Sequence, residues 1–255
     1  MPLTASRKTF LSLPLLSAGL LVACAPASET ASPSPIEEVV VDAAQQAKTG
    51  PMQAESHNDM QALAVEKRVA FMSGHVEAGL ALYRAGAPDQ AAKHLLHPVS
   101  ETHQAERAGI DALGFDQQVF LDVSEALNQG LPADEIEPRL AAAEANMALI
   151  QANAGGDPIE IISFLLDTIE EEYRIGVNDG MITDAGEYQD AFGFTVVALN
   201  LARDIDSELT GQLTSELETL LALWPETGPL AAATPAPVAD LDAQTANIRY
   251  ILGAL

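Results

Sequence analysis

The chain is short of the residues that most catalytic and cofactor sites are built from. It has one cysteine, Cys24, so no intramolecular disulfide can form and no cysteine-based zinc finger exists. It has five histidines, and only 12 basic side chains against 37 acidic ones, for a formal charge of −25. A surface of that sign repels a phosphate backbone, which excludes nucleic acid as a partner. It attracts cations and also promotes solubility. Aromatic residues make up only 5% of the chain, and no alternating strand pattern or internal repeat is visible. No hydrophobic run reaches the roughly 20 residues needed to cross a bilayer. Also missing are a Gly-x-Ser-x-Gly elbow, a glycine-rich phosphate loop and a His-Glu-x-x-His pair. The expectation is a protein that is not an enzyme.

What is present is a helix-forming composition. Hydrophobic residues account for 48% of 255 residues, enough for a substantial core. Alanine and leucine dominate that fraction, and both lead the helix scale. Apolar side chains at Leu63, Val69, Met72, Val76, Leu80 and Tyr83 follow a helical period and predict a helix over 58–85. Pro88 suits the first turn of a short helix ending at His97, and Pro98 is expected to open another through Ala112. Asp116, Asp157 (followed by Pro158) and Thr183 mark further helix starts, with Asn178-Asp179-Gly180 a tight turn between the last two. Helices are also expected over 134–154, 207–224 and 241–253. The predicted class is all-α, a bundle of roughly seven or eight helices with short loops.

The amino terminus carries a basic pair, Arg7 and Lys8, then an apolar stretch from Phe10 to Ala23. At about 14 residues this is a signal peptide rather than a membrane span. Its end, Leu21-Val22-Ala23-Cys24, resembles a bacterial lipobox. The resemblance implies cleavage before Cys24 and lipidation of that cysteine. With Ala25 rather than aspartate following, it also implies the periplasmic face of the outer membrane of a Gram-negative cell. The expected organisation is a lipoprotein signal peptide at 1–23, a Ser/Pro-rich tether at 24–36 and one helical domain at 37–255, with a proline-rich connection at 225–239.

Four of the five histidines (His75, His94, His97 and His103) fall within 75–106, among Glu77, Glu101 and Glu106. His94 and His97 are three apart and share a helix face. His75 and Glu77 are two apart, about 200° around a helix, and do not. The best chelate combines His94 and His97 with His75 from the preceding antiparallel helix and with Glu101 or His103. His103 and Glu106 form a second pair. Mixed imidazole and carboxylate donors suit iron, copper or zinc. The other reading has these histidines capping helices around the corner at Pro98 and binding no metal. Leu82, Gly86, Ala91 and Leu95 of the same stretch resemble one tetratricopeptide unit, which implies a protein-interaction hairpin.

The segment Glu172 to Asp190 carries two Glu-Tyr pairs, Glu172-Tyr173 and Glu187-Tyr188, around Asp179-Gly180. From the residues alone it reads as an αα-hairpin stapled by tyrosines. It also resembles a segment of the periplasmic helical region found in some bacterial high-affinity iron permeases, although the membrane helices and the Arg-Glu-x-x-Glu motif of those permeases are lacking. His103-Gln104-Ala105-Glu106 is similar to the His-x-x-Glu core of imelysin-like iron-uptake lipoproteins, with Glu101 where their glycine stands. Both resemblances imply extracytoplasmic metal handling, with a metal transporter or another envelope protein as partner. Glu172 and Glu187 are secondary candidate ligands if the hairpin tip folds back on the histidines. The leading expectation is a lipid-anchored periplasmic helical protein that binds or transfers iron or copper. The alternative is a helical interaction module without metal.

Overall fold

The computed structural model describes residues 63–100, 107 and 109–255. The expected signal peptide, Cys24 and the tether lie outside these residues, as do Glu101, His103 and Glu106. Eight α-helices occur among the described residues: α1 (Val65–Arg84), α2 (Pro88–Leu96), α3 (Gln117–Asn128), α4 (Ala133–Ala154), α5 (Pro158–Gly176), α6 (Ala185–Arg203), α7 (Thr210–Leu221) and α8 (Val238–Leu252). The all-α expectation therefore holds. No described helix is long and apolar enough to cross a membrane.

The helix starts follow local chemistry. The side chain of Asp116 accepts from the Gln118 amide, Asp157 from the Ile159 amide and Asp184 from the Gly186 amide, each satisfying one amide that the first turn leaves open. The start of α6 is thus set by Asp184, one residue past the expected Thr183. The expected helix from Pro98 to Ala112 is replaced, at its described residues, by two 3-10 turns at His97–Val99 and Ile110–Leu113. The helix expected over 207–224 is shorter, because Thr210 Oγ1 donates to Ile205 O and holds the preceding residues in a turn.

One strand pair was not expected. Val177 pairs with Ile182 and Asn178 with Met181, forming a two-residue antiparallel ladder, β1 (Val177–Asn178) and β2 (Met181–Ile182), between α5 and α6. The turn needs positive φ at both central residues; Asp179 has 50° and Gly180 has 72°. Such a primed turn matches the twist of the strands it joins. Two residues are too few to show a period, which is why the ladder is silent in the sequence pattern.

Two buried apolar clusters fill the interior. One gathers Leu165, Ile169, Tyr173, Tyr188, Phe194, Leu217, Trp224 and Ile248 from α5–α8 and the turn after α7, and takes Ala70 and Phe71 from α1. The other gathers Leu95, Phe120, Val123, Leu140, Met147 and Ile150 from α2–α4, and takes Val69, Met72, Val76 and Leu80 from α1. Each fully buried side chain of this kind contributes roughly 1.5–3 kcal/mol before entropy is counted. Helix α1 serves both clusters, so every residue from Arg68 to Val76 is buried. A helix enclosed on all sides has no solvent face for a polar residue. His75 lies at the next-to-last position of that run.

Candidate metal centre

His75 projects from the middle of α1, His94 from the last turn of α2 and His97 from the 3-10 turn that follows it. Asp190 projects from the second turn of α6. One ligand atom from each of these four residues lies within 4.8 Å of the other three. His75 and His94 both donate from Nδ1 to the same oxygen, Asp190 Oδ1, at 2.7 and 2.9 Å. His97 Nδ1 stands 3.0 Å from His75 Nδ1. Three of the four side chains are buried: His75 is 4% exposed, His94 3% and Asp190 3%. His97 is partly exposed and forms the solvent side.

Helix packing explains the convergence. Where α1 crosses α6, a Cβ on Gly193 would stand 1.9 Å from Gly74 O, and a Cβ on Gly74 would stand 2.0 Å from the Phe194 ring. The two backbones meet at a distance only glycine permits. His75 follows Gly74 directly, and Asp190 precedes Gly193 by three residues on α6. On the other side, Arg107 donates to Pro98 O at 3.1 Å and to Ser100 O at 2.7 Å, pinning the turn that carries His97. Phe71 meets the His75 ring edge-on at 4.8 Å, and Phe194 meets it at 5.5 Å, so an apolar wall backs the cluster.

The electrostatics follow from this burial. Desolvation alone would raise the Asp190 pKa, but the charges and hydrogen bonds of His75 and His94 outweigh it and hold the carboxyl well below its usual range. Asp190 is therefore an anion inside the protein. His75 Nδ1 has two close neighbours, Asp190 Oδ1 and His97 Nδ1, and at most one proton to offer them. A cation at the centre would take lone pairs from all four groups. Donors about 2.0–2.2 Å from iron or zinc in a tetrahedral set stand about 3.3–3.6 Å apart. The three contacts of 2.7–3.0 Å would open toward that spacing, and the remaining pairs, within 4.8 Å, bracket it from above. Three imidazoles and one carboxylate form a donor set for a borderline transition-metal ion.

The structure brings the expected His75, His94 and His97 together. It adds Asp190, which sequence reasoning did not select. A signal for it exists: Asp190 is the only charged residue between Glu187 and Arg203, in an otherwise apolar stretch of α6. Glu172 and Glu187 are not in the ligand set. Burial, a hydrogen bond to Glu187 and the nearby charges of Glu187 and Asp190 push the Glu172 pKa well above the carboxylate range, so Glu172 keeps its proton. Their neighbours Tyr173 and Tyr188 turn the other way, into the core. Their rings pack 5.3 and 5.9 Å from Trp224, and Tyr173 donates to Ala236 O at 2.8 Å, tying down the proline-rich connection.

Residues 156–253 match the family model of the iron permease-associated 4-helix bundle domain. That segment is α5 through α8 with the β1–β2 turn, and includes Glu172–Asp190. It contains Asp190 but none of the three histidines, which come from the helices before it. No curated protein and no solved structure matches the chain.

Proposed function

We propose that this chain is a lipid-anchored helical protein of the cell envelope that binds a transition-metal cation and hands it on, with iron the first candidate and copper or zinc the others. The observation that carries this reading is the convergence of His75, His94, His97 and Asp190 from three helices and a turn onto one buried point. Burying an ionised carboxylate is costly unless partners satisfy it, and a divalent cation is the partner that suits four lone pairs at once. The match of α5–α8 to a domain associated with iron permeases supports iron and a metal transporter as partner. The lipobox at Cys24 supports anchoring at the periplasmic face of the outer membrane, and the strongly acidic composition suits a cation carrier. On this reading the protein catalyses nothing; it binds and releases.

Elemental analysis of the protein purified without chelator tests this, beside a His94→Ala/His97→Ala variant and an Asp190→Asn variant. Near one equivalent of iron, copper or zinc in the wild type, lost from both variants, is expected. A wild type that is empty and also refuses added metals would sink the metal reading and leave the α1–α2 hairpin as a protein-interaction module.

A further inference from the structure

Beside the four ligands lies a buried amide relay that metal ligation alone does not require. His94 has a second ring nitrogen, and Nε2 sits 2.8 Å from Gln189 Oε1. The amide nitrogen of Gln189 donates in turn to Gln90 Oε1 at 2.5 Å. Gln189 is only 2% exposed, so its amide has no water to fall back on. Gln90 lies one turn before His94 on α2, and Gln189 directly precedes Asp190 on α6. The relay therefore links the two helices that supply the ligands on either side of it.

We propose that Gln189, braced by Gln90, is a positioning residue that commits His94 to bind metal through Nδ1. The inference rests on the metal-binding reading of the same cluster. With Gln90 Oε1 accepting from the Gln189 amide nitrogen, the Gln189 carbonyl must face His94. A carbonyl oxygen accepts and cannot donate, so His94 Nε2 carries a proton. In the metal-free protein Nδ1 donates to Asp190; a cation that displaces that proton leaves a neutral imidazole with its one proton on Nε2 and its Nδ1 lone pair aimed at the point shared with Asp190, His75 and His97. The outer nitrogen of a metal-bound histidine commonly donates in this way, which fixes the ring's tautomer and angle. Coordination through Nε2 would require the ring to turn over and Gln189 to lose its partner in a dry pocket.

The test uses the full chain with zinc and cobalt as probes. Affinity is read by competition titration and by the visible spectrum of the cobalt form. The tautomer is read by long-range nitrogen–proton NMR of the histidine rings in the zinc form. In the wild type, His94 is expected to show a protonated Nε2 and a metal-bound Nδ1. Gln189→Leu removes the acceptor and is expected to weaken zinc binding roughly 10- to 100-fold, the usual effect of losing such an outer partner. Gln189→Glu keeps an acceptor for Nε2–H, and Gln90 can turn its amide to meet it, so binding should be retained or tightened. Gln90→Leu, at a partly exposed position that endangers folding less, should weaken binding in the same direction and alter the cobalt spectrum. A wild type that binds neither ion overturns the metal reading and this inference together. A wild type that binds zinc through His94 Nε2, or Gln189→Leu and Gln90→Leu variants that bind as tightly as wild type with His94 unchanged, overturns the positioning role and leaves the metal site standing.

Discussion

Asp190 and Glu172 are both acids in the interior near one site, and their surroundings drive them opposite ways. Asp190 faces two imidazole donors and stays ionised, whereas Glu172 faces Glu187 and keeps a proton. The folded protein holds the Glu172 proton more tightly than the unfolded chain, whose carboxyl titrates near 4.5. Stability from this group is therefore full at acid pH and declines as pH rises above 4.5, by at most about 1.4 kcal/mol per unit. Glu77 is raised by burial and shifts stability in the same direction. Asp190 and Glu170 are lowered, and their contributions are lost only as pH falls below the ordinary carboxylate value, outside a window of pH 5.5 to 8. Glu172→Gln keeps a donor toward Glu187 but has no proton to lose. Urea unfolding should show the wild type losing more stability than Glu172→Gln between pH 5.5 and 8. Parallel pH profiles for the two proteins would contradict a retained proton on Glu172.

Among the elements, the crossing of α1 over α6 decides whether the candidate ligands meet. Gly74 and Gly193 let the backbones touch, and one added methyl on Gly193 would collide with Gly74 O at 1.9 Å. A carbonyl oxygen on a buried helix has no room to yield, so the helices must move apart. Gly193→Ala is expected to cost about 1–3 kcal/mol of stability by overpacking. It should also weaken zinc binding although every ligand is still present, because Asp190 travels with α6 and His75 with α1. Gly211 in α7 makes the control: its added Cβ meets nothing within 4 Å, so Gly211→Ala should be neutral, or stabilising by about 0.5–1 kcal/mol. Thermal melts and zinc titration of both variants check this, and a Gly193→Ala protein with wild-type zinc affinity would show that the crossing does not set the site.

For the whole molecule, the governing quantity is the excess of 37 acids over 12 bases. The visible ion pairs, such as Arg249 with Asp167 at 2.8 Å and Arg174 with Asp242 at 2.6 Å, lie at or near the surface. Pairs of that kind contribute roughly 0–1 kcal/mol each and are too few to offset the surplus. Net self-repulsion therefore dominates the surface electrostatics, and salt should relieve it. Raising sodium chloride from about 0.01 to 0.5 M, where the Debye length shrinks well below 10 Å, should raise the melting temperature. A melting temperature that falls with salt would mean that the attractive pairs outweigh the repulsion.

The helices were legible in the sequence because their causes are local. Asp116 and Asp157 cap the turns they begin, Asp184 caps α6 one residue past the expected Thr183, and the apolar period of α1 and α6 needs only neighbours three and four residues away. The clustering of His75, His94 and His97 within 23 residues was visible for the same reason, since one hairpin brings them together. Asp190 was not, because it lies 96 residues from His94 and meets it only through the packing of α6 on α1 and α2. The different surroundings of Asp190, Glu172 and Glu187 also escaped the sequence, since all three are acids on one hairpin. Burial and partner decided it. Asp190 entered a pocket lined by imidazoles, and the two glutamates entered each other's field. Composition and local period determined that this chain folds into helices and carries histidines at one corner. Only the tertiary structure, through a glycine-to-glycine helix crossing, placed an anion among those histidines and so made a candidate metal centre of them.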